Sequence, residues 1–106
     1  MTLFRQGWKA EVYFGSELTA HHMNTRSVYR FKENSDVSII HSAPIVDDNS
    51  VDRFVVEFRE VLEYHESGNV FRSQTQTVGT FDNWLDAYYC GVQVINNLNL
   101  DALLAN

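Results

Sequence analysis

The sequence predicts an α+β domain: an antiparallel sheet of about four to six strands built from hairpins, with one long C-terminal α-helix packed across one face. Three observations carry this. Residues 8–41 hold short runs of β-branched and aromatic residues separated by turn-forming ones. Residues 54–65 and 70–78 flank Ser67-Gly68 as the arms of a further hairpin would. Phe81, Leu85, Tyr88, Val92 and Ile95 then step by four, three, four and three, the spacing that lays side chains along one helical stripe.

In chain order, Trp8–Phe14 alternates like a strand, with Trp8, Ala10, Val12 and Phe14 on one side and Lys9, Glu11 and Tyr13 on the other. Gly15-Ser16 is the expected turn, because glycine at the first central position suits a type II′ hairpin returning along Leu18–Met23. A short helix capped by Ser16 reads the same residues equally well. Ser27–Lys32 and Val37–His41 form the second hairpin across the polar run Glu33-Asn34-Ser35-Asp36. Pro44 stops its second arm, and an exposed acidic loop runs on to Ser50.

Residues 51–66 fit two periods. As a helix capped by Ser50 and stopped at Gly68, Val51, Phe54, Val55, Phe58, Val61, Leu62 and His65 share a face; as a strand, Phe54, Val56, Phe58, Leu62 and Tyr64 do, with Glu60 pointing inward among them. The Thr, Ser and Gln content of Val70–Val78 favours the strand. The hairpin would set Tyr64 opposite Phe71, Leu62 opposite Ser73 and Glu63 opposite Arg72. The helix is expected over 82–96, capped by Thr80 or Asp82 and ended at Asn97, with residues 97–106 as a short tail containing one more turn at Leu100–Leu104. Its stripe should bury Leu85, Tyr88, Val92 and Ile95 with Phe58, Leu62 and Phe71.

The 106 residues suffice for one domain with a core that needs neither metal nor disulfide. The lone Cys90 reads as a buried, inert thiol. Met1–Gln6 lacks the apolar core of a signal peptide, and no long apolar run occurs, so a soluble, cytoplasmic protein with no membrane partner is expected.

Charge is divided along the chain. Residues 1–32 carry Arg5, Lys9, Arg26, Arg30 and Lys32 against Glu11 and Glu17, a sum of +3, whereas the whole chain is −6. Half of the fourteen acidic residues lie between Asp47 and Glu66. Asp47, Asp48, Asp52, Glu57 and Glu63 are therefore the candidate partner-binding residues, and a basic protein surface or a nucleoprotein complex is the partner they suit. Direct nucleic-acid binding is disfavoured by the acidic total, although Arg26-Ser27-Val28-Tyr29-Arg30-Phe31-Lys32 interleaves cations with aromatics.

No catalytic motif, metal-ligand spacing or cofactor fingerprint occurs: the four histidines and Cys90 fit no ligand pattern, and the five glycines are scattered. Glu60 has a raised-pKa acid as its functional reading and a paired, structural carboxylate as its stronger one. The expected function is that of a non-enzymatic, stoichiometric binder and inhibitor of another macromolecule, of the kind that anti-defence (anti-CRISPR-like), immunity and DNA-mimic proteins represent. A small ligand-binding domain or enzyme with a pocket between helix and sheet is one alternative. A homodimeric assembly module using strand edges or the Leu98–Leu104 tail is another.

Overall fold

Each strand pairs antiparallel with the next in sequence, so the sheet is a six-stranded meander in the order β1-β2-β3-β4-β5-β6. The structure, a computed structural model, describes residues 7–42 and 52–104. The strands are β1 (Trp8–Tyr13), β2 (Ser16–His22), β3 (Arg26–Phe31), β4 (Val37–Ser42), β5 (Arg53–Tyr64) and β6 (Val70–Phe81), and the helix α1 is Trp84–Leu104. The expected α+β architecture is the observed one. Both ambiguous segments form strands, over Ser16–His22 and Arg53–Tyr64.

The first hairpin turns one residue earlier than expected. Phe14 and Gly15 are its central residues, with φ of 51° and 81°. Two positive φ values belong to a type I′ turn, whose twist matches that of the flanking strands. Strand twist thus places a phenylalanine in a left-handed conformation that asparagine or glycine would adopt at less cost.

The β5–β6 hairpin keeps Glu63 opposite Arg72, and the two side chains form an ion pair at 3.8 Å. The other expected pairs do not form. Val61 is opposite Ser73 and Tyr64 is opposite Val70, because Leu62 on β5 and Phe71 on β6 are each bulged out of the ladder. Leu62 and Tyr64 are exposed, contrary to the core placement expected from strict alternation. The side chain of Phe71, also expected in the core, lies outside the described residues, as does the acidic loop before Ser50.

The helix begins at a cap that the sequence reading assigned to its neighbours. Asn83 Oδ1 accepts from the Asp86 backbone N–H at 2.9 Å, and Asn83 Nδ2 donates to Asp86 Oδ2 at 2.8 Å. Asn83, not Thr80 or Asp82, is the N-cap, and Thr80 belongs to β6. Nor does the helix stop at Asn97. Asn96, Asn97 and Asn99 each cost ~0.7 kcal/mol of helix propensity, which is offset where Leu98 packs on the core beyond them. The tail expected at 97–106 is helix through Leu104.

One face of the sheet and one face of α1 make the core. Leu18, Tyr29, Phe31, Val37, Ile39 and Val56 are buried from the sheet, and Ala87, Tyr88, Gly91 and Ile95 from the helix. Trp84 packs against Tyr13, Tyr29 and Phe54 at ring separations of 4.9, 4.7 and 5.6 Å. Its indole nitrogen is buried without a hydrogen-bond acceptor, a cost of ~1–3 kcal/mol that the surrounding ring contacts must exceed. The buried stripe runs through Trp84, Gly91 and Ile95 and is rotated from the expected one, leaving Leu85 43% exposed. The rotation follows from small residues: a Cβ on Gly91 would lie 2.5 Å from ring carbons of Phe31, so the helix rests on this ring where it has no side chain of its own. Cys90 is half-buried rather than buried, and desolvation raises its thiol pKa.

Gly91→Ala should therefore destabilise the fold by ~1–3 kcal/mol through overpacking, although the same change on an exposed helix face would stabilise by ~1 kcal/mol. Ile95→Ala should cost ~2–5 kcal/mol, whereas Leu85→Ala should stay below ~1 kcal/mol. Urea unfolding of the three variants checks the helix orientation.

Candidate functional site

Among the described residues one helix covers one face of the sheet, and alternation along the strands sends a second set of side chains to the other face. Its rungs are given by the register. Arg26, Ser42 and Arg53 form one; Trp8, His21, Val28, Ile40, Val55 and Thr80 form the next. Ala10, Thr19, Arg30, Ser38, Glu57 and Thr77 form the third. Four arginines, Arg26, Arg30, Arg53 and Arg59, thus share one side of the molecule.

Three of them, Arg26, Arg30 and Arg59, line a groove of about 480 Å³ together with Trp8, Val28, Ser38 and Ile40 and the carboxylates of Asp36 and Glu57. Arg30 stacks its guanidinium 4.3 Å from the centre of the Trp8 ring, and Trp8 in turn packs on His21. Arg59 is fixed from the other side. Its Nε and Nη2 donate to Asp36 Oδ1 at 2.9 and 2.7 Å, and its backbone N–H donates to the Asp36 carbonyl at 2.8 Å. These bonds also hold the β3–β4 loop against β5. Arg26 and Arg53 form no ion pair among the described residues. A guanidinium without a carboxylate partner keeps a planar fork of donors available to a carboxylate or phosphate ligand.

The expected partner-binding acids are not brought together. Asp47 and Asp48 lie outside the described residues. Asp52 Oδ1 accepts from His41 Nε2 at 3.1 Å, and His41 stacks flat on Phe54. Glu63 pairs with Arg72 on the β5–β6 arm. Glu57 stands on the uncovered face in the rung of Arg30, and the bulge at Leu62 reverses the alternation between it and Glu63, so the two do not share a face. Glu60 is half-buried and structural: its Oε2 accepts from Gln76 at 2.9 Å and Gln74 at 3.3 Å.

The interleaved run Arg26–Lys32 is split by the sheet, with Tyr29 and Phe31 in the core and Arg26 and Arg30 outside. Trp8, from β1, is the aromatic that joins the arginines, and it became legible only once the β1–β2 register was known.

On the helix side, at the β1 edge, a second polar cluster went unnoticed in the sequence. Glu11 Oε1 accepts from the Tyr13 hydroxyl at 2.7 Å, and Glu11 Oε2 lies 2.5 Å from His22 Nε2. With that nitrogen donating, His22 Nδ1 is left to accept from the Ser27 hydroxyl at 2.9 Å. Serine, imidazole and carboxylate are in line, yet Ser27 lines neither the groove beside Trp8 nor the one beside Tyr88. The chain of bonds clasps edge strand β1 to β2 and β3. The Tyr13 hydrogen bond, reinforced by His22, lowers the Glu11 pKa against the opposing effect of burial. Desolvation, with the bond to Glu11, raises that of Tyr13.

Among the described residues no group of three or more His, Cys, Asp or Glu is placed to hold a metal ion, and no helix is long and apolar enough to cross a membrane. No protein-family model matches the chain, and no curated protein or solved structure matches it either.

The clasp makes stability depend on pH with a defined sign. Glu11 is held below its ordinary value of 4.5 in the folded state, so its contribution is present above that value and is lost as pH falls through the folded pKa. Urea midpoints should drop on acidification through this range. Glu11→Gln should lower the midpoint at neutral pH and flatten that slope.

Proposed function

We propose that the protein is a non-enzymatic binder that acts by stoichiometric occupancy, using its uncovered sheet face to hold an acidic segment of a partner protein. The observation that supports this reading is the groove in which Arg26, Arg30 and Arg59 converge beside Trp8 on a sheet face that no described element covers. Arginine forks recognise carboxylates bidentately, and Arg26 and Arg30 stand four residues apart on one strand, ~13 Å at the strand repeat. An extended acidic segment laid along β3 meets both. Glu57 and Ser38 between them supply acceptors for its backbone N–H groups. A nucleic acid is less well served, since Trp8 is the aromatic of the groove and one of its faces is taken by Arg30.

A second reading keeps Asp47, Asp48, Asp52, Glu57 and Glu63 as the contact set for a basic partner, in the manner of an inhibitor that mimics an anion. The net charge of −6 and a helix with no basic residue favour it.

Fluorescence anisotropy with a labelled Glu-rich peptide, a Lys-rich peptide and a single-stranded oligonucleotide separates the readings. The Glu-rich peptide should bind, more weakly as salt rises. The double variant Arg26→Glu, Arg30→Glu should lose about tenfold or more in affinity, with Asp47→Lys, Asp48→Lys, Asp52→Lys unaffected. Binding of the Lys-rich peptide alone, abolished by the triple reversal, establishes the second reading instead.

A further inference from the structure

The outward flank of α1 carries a second stripe, of which Val92 alone also packs against the core. Leu85, Tyr89, Val92, Asn96, Asn99 and Leu103 step by four, three, four, three and four, the spacing of a coiled-coil seam. The residues that face the sheet, among them Trp84, Ala87, Tyr88, Gly91, Ile95 and Leu98, are centred roughly 120° around the helix from that stripe. Asp86 and Asp101 are the charges of the helix, and neither lies on the seam.

We propose that this flank is the two-fold interface of a homodimer in which two copies of α1 pack parallel and in register. Four observations select a second copy of this chain as the occupant. First, the seam has no charge to attract a charged partner, and an identical uncharged seam matches it. Second, Asn96 and Asn99 need hydrogen-bonding counterparts once covered. Parallel pairing sets each opposite its own copy, whereas antiparallel pairing sets them opposite Val92 and Tyr89.

Third, a knob and a hole flank the seam. A groove of about 600 Å³ lies between the helix and the hairpin turns, lined by Tyr88, Val92 and Ile95 with Gly15 and Phe31, and also by Glu33 and the ion-paired Glu17 and Lys32. In a parallel pair, the residue five positions on from Ile95 in the partner helix is its Leu100, which is 53% exposed in the single chain. Each copy offers the other one leucine and one groove, as an isologous contact requires.

Fourth, the area suffices. Phe14 is 55% exposed, Leu85 43%, Tyr89 60%, Leu100 53% and Leu103 72%. At ~200 Å² for a fully exposed large apolar side chain, these leave ~570 Å² per copy, and the exposed Asn96 and Asn99 of the seam add to it. The smaller specific interfaces bury ~600 Å² per partner. The left-handed φ of Phe14 belongs to the same surface, because that turn holds the ring against Tyr88 at the edge of the groove.

Sedimentation equilibrium across micromolar concentrations tests the proposal, with circular dichroism as the folding control. The parent chain should be a dimer. Leu100→Glu with Leu103→Glu should weaken it by about 100-fold or more while leaving the spectrum unchanged, both side chains being exposed. Phe14→Asn should weaken it too without unfolding the chain, since asparagine suits the left-handed turn. Asn96→Cys in a Cys90→Ser background should form an interchain disulfide under mild oxidation, the readout of parallel register that does not depend on either charge variant folding. A parent chain that stays monomeric overturns the proposal. So does a dimer unaffected by the leucine changes, or one in which Asn96→Cys fails to cross-link.

Discussion

The approach of Gly91 to the Phe31 ring sets the rest of the molecule. With no side chain at that point, the helix lets the Phe31 ring reach its backbone while it lies over β4, β5 and β6, and its azimuth is fixed by whatever else can be buried at that height. Tyr88 reaches past Phe31 to donate to the Ser16 hydroxyl, Trp84 wedges among Tyr13, Tyr29 and Phe54, and Ile95 closes the other end. Everything at right angles to that contact is left outside, including Leu85 and Tyr89. The exposed flank is thus a geometric consequence of the contact that makes the core.

Much of the architecture was legible because two periodicities dominate the sequence. Alternation marked the strands, and the threefold and fourfold steps marked the helix; hairpin logic placed Glu63 against Arg72. What escaped was governed by residues that carry no hydrophobic signal. Ala87 and Gly91 are invisible to a search for large apolar stripes, yet they turned the helix. The bulges at Leu62 and Phe71 break alternation without any proline or glycine to announce them. The asparagines of α1 argued for a stop that packing of Leu98 overrode.

The candidate site was less legible for a related reason. It is assembled from β1, β3, β4 and β5, and its members are brought together by register rather than by proximity in sequence. Linear charge counting drew attention to Asp47–Glu66, whereas folding disperses those acids: Glu57 goes to the arginine face, Glu63 to a local pair and Asp52 to His41. The same alternation that buries Tyr29 and Phe31 gathers Arg26 and Arg30 with Trp8. A chain acidic in total thereby presents an arginine-rich side.

The meander also fixes an order of events in synthesis. Every strand pairs with its sequence neighbour, so the sheet is built from contacts that close short loops and form fast. The layer that dries its apolar face follows all six strands in the chain. A nascent polypeptide therefore emerges as a row of hairpins with Leu18, Phe31 and Ile39 still wet, and cooperative folding waits for Trp84 to Leu104 to leave the ribosome. Over that interval the half-made sheet is open to aggregation. A premature stop anywhere in α1 leaves a sticky product rather than a smaller stable one.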